Sequence, residues 1–137
     1  MGSSPLAAAL GADGDGVIIS QVVPHFDDPL LLAAAYRAAL RANDPSAQPG
    51  FGSLEGYAVG RMLVLALNHI EGEVTRGSVN DALEGLGKFD LGMGVPLELS
   101  PKEHQACHQV WPSVLRSGQV VAAGWSELFP QPRAEVK

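Results

Sequence analysis

One β-branched run constrains this chain more than any other feature. Val17-Ile18-Ile19-Ser20-Gln21-Val22-Val23 reads as a strand. Its largely apolar character predicts a buried strand in parallel pairing, the kind covered on both faces. Pro24 stops it. Three helical patterns follow, and no further strand-like run arrives until residue 95. One parallel strand cannot make a sheet, so the sequence predicts that its partners are missing.

The flanking elements read more simply. Ser4 to Leu10 predicts a short helix, with Ser4 as cap, Pro5 in the first turn and Gly11 at the end. Gly11 to Gly16 is a turn. Asp28-Pro29 predicts the start of a second helix, with Asp28 as its cap. Leu30 to Leu40 continues it, placing Tyr36, Ala39 and Leu40 on one face and Arg37 and Arg41 on the wet side. Asn43-Asp44-Pro45 ends it. Ser53 is the expected cap of a third helix running to about Ile70. That helix is apolar almost all round, which predicts burial. Gly56 and Gly60, four apart, predict close packing on a neighbouring helix or sheet.

Thr75 is the expected cap of a fourth helix, with Val79, Ala82, Leu83 and Leu86 at helical spacing and Gly87 closing it. Val95 to Leu99 alternates like a short edge strand, demoted by Pro96. Ser100 to Gln105 is a polar loop. Val110–Leu115 and Val120–Ala123 flank Arg116-Ser117-Gly118-Gln119, a hairpin pattern. Gln131–Lys137 reads as a frayed tail. The sequence shows no solenoid-type internal repeat.

Composition narrows the function classes. The 137 residues suit one compact domain, and 46% hydrophobic against 18% charged residues provides for a core. Nine Lys/Arg stand against fifteen Asp/Glu, a net charge of −6 with no basic cluster. Nucleic-acid and anionic-membrane binding are disfavoured on that ground. The lone Cys107 cannot form an internal disulfide. Met1 to Pro5 carries no charged side chain and Leu6 to Leu10 is too short for a signal peptide's apolar region. The longest apolar stretch, Tyr57 to Leu67, is broken by Gly60 and Arg61 and falls short of the roughly 20 residues that span a bilayer.

Four groups of residues invite a chemical reading. His104, Cys107 and His108 would share a face if helical and could then ligate zinc. The plainer reading is two surface histidines and a small buried thiol. Asp13-Gly14-Asp15-Gly16 resembles the start of a calcium loop, but Val17 and Pro24 occupy ligand positions, which leaves a solvated turn. His25 lies beside Asp27 and Asp28, yet no G-x-S-x-G elbow supplies an activated serine. Phe51, Ser53, Glu55 and Tyr57 gather at the start of the third helix, where free N–H groups and the positive dipole end face outward. They either line a cleft or do ordinary structural work, with Glu55 a dipole partner and the rings core.

Several stretches together resemble one family. Gly16 to Pro24 is similar to the crossover strand of type I periplasmic solute-binding proteins, in their branched-chain amino-acid receptor branch. Tyr36 to Leu40 with Asp44-Pro45 resembles the next helix and its end. Ser53-Leu-Glu-Gly-Tyr57 resembles the start of the following one, and Thr75-Arg76 with Ala82-Leu83 the helix after that. Leu99 to Gln105, then Val110 to Val121 with Ser117-Gly118, resembles the return loop and closing hairpin. The similarity runs from about Ser4 to Gly124.

The resemblance implies a partial type I periplasmic-binding-protein fold of the α/β class, with helices on a small mixed sheet plus a C-terminal β-hairpin. It divides the chain into a helix and crossover strand (1–24), the helical part of one α/β lobe (25–94), a return loop and hairpin of the second lobe (95–125) and a tail (126–137). It implies a non-catalytic receptor without cofactor or metal, which binds amino acids or similar small polar solutes and delivers them to an ABC permease. Phe51, Ser53, Glu55 and Tyr57 would then contact ligand, and Val23, Pro24, His104 and Gln105 would lie at hinge crossings.

The family's N-terminal lobe strands and signal peptide have no counterpart here, so the resemblance implies a C-terminal fragment. It implies periplasmic location by family, and cytoplasmic location as the sequence is written. Such a piece would bind solute only with its missing lobe, and would cover its open edges by forming a homodimer, domain-swapped or not. Two alternatives stand beside this reading: a self-associating structural module without solute, and a small hydrolase using a metal at His104, Cys107 and His108, or using His25 with Asp27.

Overall fold

The computed structural model describes residues 2–130. The element order is α1 (Ser3–Leu10), a 3-10 turn (Gly11–Gly14), β1 (Ile18–Gln21), α2 (Leu31–Asn43), α3 (Phe51–Leu67), α4 (Arg76–Glu84), β2 (Gly87–Phe89), β3 (Leu97–Leu99), β4 (Trp111–Arg116), β5 (Gln119–Ala122) and α5 (Trp125–Leu128). These elements form two compact units. One holds the described residues up to His25 and those from Val110 onward; the other is Phe26–Gln109. Residues 95–109 therefore group with the helices rather than with the hairpin. The expected tail begins inside α5, and its residues 131–137 lie outside the described ones.

The first unit is built on a three-stranded sheet of order β1-β4-β5. Both pairings are antiparallel, with Ile18 opposite Val114 and Val114 opposite Val121. The expected parallel strand is thus corrected. The chain leaves this unit after β1 and returns through β4 running the other way, so β1 finds a partner about 95 residues on. Nor is β1 buried on both faces: its residues alternate between exposed and half-buried, and Ile18 is 41% exposed. Only antiparallel sheets commonly leave one face to water.

The β4–β5 hairpin turns as the sequence predicts. Ser117 and Gly118 both have positive φ, 51° and 74°, which is the handedness a two-residue hairpin turn requires. Asp15 Oδ1 accepts from the Ser117 backbone N–H, so the Asp13–Gly16 turn serves as a brace for the hairpin. Pro112, Ser113, Val114 and Leu115 are buried, and Ala7 of α1 and Gly14 complete the small core. A Cβ on Gly14 would meet Leu10 Cβ at 2.9 Å and Leu115 Cδ1 at 3.0 Å, so glycine is needed for that close approach.

The second unit packs α2, α3 and α4 with the two-stranded antiparallel ladder β2-β3. Its core is Leu32, Ala33, Tyr36, Phe51, Leu54, Ala58, Ala66, Leu91, Met93, Leu97 and Leu99. Full burial of a leucine such as Leu32 or Leu54 contributes about 2–3 kcal/mol. Gly92 ties the ladder to α2. Its carbonyl accepts from Leu32 N at 3.0 Å, its φ is 80°, and a Cβ there would lie 2.7 Å from Leu31 Cβ.

Helix starts differ in how local they are. Thr75 caps α4 as expected, through a reciprocal capping box with Ser78, whose hydroxyl accepts from Thr75 N at 2.8 Å. Asp28 does not cap α2. It accepts from Leu30 N at 3.0 Å in a turn, and α2 begins only at Leu31. Arg37 is not on a wet face: its Nη1 donates to the carbonyls of Phe26 and Asp28, at 2.6 and 3.0 Å, and pins that entry turn. Ser53 does not cap α3, which starts two residues earlier at Phe51 behind Gly50. The first helix likewise starts at Ser3 behind Gly2, with no side-chain cap from Ser4. The fourth ends at Glu84, and Gly87 opens β2 instead, a strand the sequence reading does not contain.

Burial of α3 is the largest departure. Only Phe51, Leu54, Ala58 and Ala66 are buried. Val59 is 53% exposed, Val64 56% and Leu63 41%. A Cβ on Gly56 or Gly60 would meet nothing within 4 Å, so neither glycine packs closely on a neighbour. Among the described residues, no helix is long and apolar enough to cross a membrane.

Candidate functional site

The start of α3 is organised by one phenol. Tyr36, 2% exposed on α2, accepts from Gly50 N at 3.0 Å, and its hydroxyl lies 2.5 Å from Ser53 Oγ. Ser53 Oγ in turn donates to the Gly50 carbonyl at 3.1 Å. Gly50 N–H, Tyr36 Oη, Ser53 Oγ and Gly50 C=O thus form a closed circuit in which each hydroxyl both donates and accepts. The circuit satisfies the hydroxyl of the buried Tyr36, which would be costly left unpaired.

Aromatic rings flank the circuit. Phe51 is buried edge-on against Phe26, with centroids 5.0 Å apart at 71°. Tyr57 is tilted on Tyr36 at 5.8 Å. One turn on, the Arg61 guanidinium lies 5.9 Å from the Tyr57 ring centroid, and its Nη1 donates to Tyr57 Oη at 3.4 Å. Glu55 is exposed. Because the helix begins at Phe51, Glu55 falls beyond the first turn, where the dipole's effect has faded. The dipole-partner explanation of Glu55 therefore weakens. The structure brings Ser53 and Tyr57 together around Tyr36, with Ser53 held in the circuit and Tyr57 half-exposed, while Phe51 turns into the core against Phe26.

The expected hinge residues sit near the two places where the chain passes between units, at 25–26 and 109–110. Val23 is 4% exposed and Pro24 is fully buried. His25 Nε2 donates to the Val120 carbonyl at 3.1 Å, which ties this exit to the hairpin. Gln105 N donates to Glu103 Oε1 at 2.8 Å, and Gln105 Nε2 donates to the Cys107 carbonyl at 3.0 Å. His104 Nε2 is 3.2 Å from Glu84 Oε1, and His108 Nε2 is 3.3 Å from Glu103 Oε2. The Gln105 amide, with His108 adding to it, holds the Glu103 carboxyl below the usual carboxylate range.

The metal alternative has no geometry to rest on. His104, Cys107 and His108 lie in a loop, each histidine turned to its own glutamate. Among the described residues no three His, Cys, Asp or Glu side chains converge on one point. A cleft of about 300 Å³ does open beside His104, lined by Met62, Asn80, Leu83, Glu84 and Leu99. It contains none of the residues 51–57.

Two polar groups are not legible in the sequence pattern. Tyr36 reads only as part of a helix face, and its hydroxyl's role depends on Gly50 and Ser53 meeting it at the start of α3. Gln21 Nε2 is buried with no hydrogen-bond partner among the described residues. A glutamine inside an otherwise apolar strand was its available signal.

No protein-family profile and no curated protein matches this chain. Solved structures do. A possible leucine/isoleucine/valine-binding protein from Rhodopirellula baltica SH 1 is 46% identical, covers 93% of this chain and superposes with a TM-score of 0.89. An extracellular ligand-binding receptor from Verminephrobacter eiseniae ef01-2 is 28% identical over 78% of the chain, with a TM-score of 0.67. A substrate-binding periplasmic protein from Ralstonia solanacearum, 19% identical over 77%, shares the fold with a TM-score of 0.66. The chain spans about a third of each: 35%, 31% and 31% of their lengths.

Proposed function

We propose, from the premise that this chain carries part of the type I periplasmic solute-binding fold, that it forms part of a receptor for amino acids or similar small polar solutes. The observation that carries this reading is the 46% identity and 0.89 TM-score over 93% of the chain with the Rhodopirellula protein. The start of α3 supplies the contacts. Tyr57 and Ser53 supply hydroxyls, Phe51 an apolar ring, and the exposed Glu55 carboxylate suits a ligand ammonium. Val23 with Pro24, and His104 with Gln105, act as hinge crossings. No catalytic step is assigned. The loaded receptor serves an ABC permease in the periplasm, by the same likeness.

A chimera tests this. The matched third of the Rhodopirellula protein is replaced by this chain, and calorimetry is run with leucine, isoleucine, valine and a panel of polar amino acids. The expected result is saturable binding by the chimera, weakened by Tyr57→Ala and Glu55→Gln, with no micromolar binding by this chain alone. A folded chimera that binds none of the panel overturns the reading.

A further inference from the structure

The cleft beside His104 has no part in the solute reading, and it is built within a single unit. All its lining residues belong to Phe26–Gln109. Met62 comes from α3, Asn80, Leu83 and Glu84 from α4, and Leu99 from β3. Met62 and Leu83 are half-buried and Leu99 is buried, so these three give the cleft an apolar wall. Asn80 and Glu84 stand four apart on α4, which puts both on one helix face. His104 completes the polar side from the loop after β3. A volume of about 300 Å³ is at the small end for ligand pockets, so the occupant is compact.

Charge decides its class. No lysine or arginine lines the cleft. His104 Nε2 lies 3.2 Å from Glu84 Oε1, but a neutral imidazole leaves that carboxylate's charge uncompensated. With side chains 69% and 35% exposed, the pair also contributes little to stability. Glu84 is the last residue of α4, whose final turn holds no basic side chain. The free carbonyls at that end carry the negative pole of the helix dipole and add to the carboxylate. An anion entering here is repelled, and a wholly apolar molecule would desolvate Glu84 without compensation.

The geometry points to a second binding site in this cleft, for a compact apolar primary amine. Its ammonium meets the Glu84 carboxylate and the Asn80 side-chain carbonyl, and its hydrocarbon body lies on Met62, Leu83 and Leu99. This goes beyond the solute reading, because the cleft contains none of residues 51–57 and its ligand needs no carboxylate.

The test titrates 2-phenylethylamine into this chain and follows it by NMR. Saturable shifts are expected at the Met62 methyl, the Leu83 methyls and the Asn80 side-chain amide. Two probes separate the contributions. 3-Phenylpropionate has the same apolar body and the opposite charge, and is expected to bind about tenfold more weakly or worse. Methylamine has the charge without the body, and no saturable shift is expected. Glu84→Gln keeps the side chain's shape and is expected to weaken phenylethylamine binding about tenfold or more. Asn80→Asp, at an exposed position, adds a second carboxylate and is expected to tighten it about threefold. Circular dichroism establishes that each variant folds; should Glu84→Gln not fold, Asn80→Asp decides.

The inference is overturned by an absence of saturable shifts at these residues, by phenylpropionate binding as tightly as the amine, or by amine binding that neither substitution changes. The solute reading is tested separately, with amino acids on the chimera, so failure of either leaves the other standing.

Discussion

The two sides of α3 are equally apolar in sequence and opposite in circumstance. Leu54 and Ala58 face a finished core, with Leu54 fully buried, while Val59 and Val64 face water. The start of the helix also has a polar anchor, the Tyr36–Ser53–Gly50 circuit. The difference shows that apolar character records a residue's preference for leaving water, not the identity of the surface that satisfies it. Among the described residues, one side of this apolar helix is covered and the other is not.

The comparison predicts a graded set of effects. Leu54→Ala is expected to cost about 2–5 kcal/mol in urea unfolding, whereas Val64→Ala should stay within about 0.5 kcal/mol. Equal costs would break the contrast between the two sides. Glycines sharpen it. Gly92→Ala should destabilise by about 2–4 kcal/mol, since it adds both positive-φ strain and a clash with Leu31. Gly60→Ala meets open space in a helix interior and should stabilise by up to about 1 kcal/mol. A loss of stability in Gly60→Ala would mean that the bare side is already occupied in solution.

Tyr36→Phe removes the centre of the circuit and should cost about 1–2 kcal/mol, with Ser53→Ala costing less because Tyr36 still accepts from Gly50. A Tyr36→Phe variant as stable as the parent would show that the circuit does not hold the start of α3. The smallest effect lies outside α3. Glu103 has a depressed pKa when folded, so its contribution is present above the ordinary glutamate value and lost as pH falls through the lower folded one. A shallow loss of stability in that acid window, removed by Glu103→Gln, is expected. A window unchanged in Glu103→Gln assigns the slope elsewhere.

The homodimer expectation rested on two grounds, a parallel strand without partners and an apolar helix face. Antiparallel pairing of β1 with β4 removes the first. The second narrows to the exposed Val59, Leu63 and Val64 of α3.

Legibility followed the range of the interaction. Thr75 and Ser78 find each other within one turn, Gly11 ends α1, and Ser117-Gly118 turns the hairpin, all as the local chain chemistry predicts. A cap at Ser53 would start α3 three residues late, because Gly50 and not Ser53 precedes the helix, and Ser53 is drawn back to Tyr36. The gathering of Phe51, Ser53 and Tyr57 was visible as proximity along one helix. That Ser53 and Tyr57 share Tyr36 as a partner was not, because Tyr36 reaches them only once α2 packs on α3.

What the sequence by itself determined is the set of local elements and their limits: caps, turns, the apolar helix and the β-branched strand. Each depends on atoms a few residues apart, which meet whatever the rest of the chain does. Only the tertiary structure decided that β1 pairs antiparallel with a strand about 95 residues away, that Gly87 begins a strand, that Arg37 pins a turn, and which side of α3 is covered. Hydrophobic burial is non-directional and independent of sequence distance, so the pattern states how much surface must leave water and the packing alone states against what.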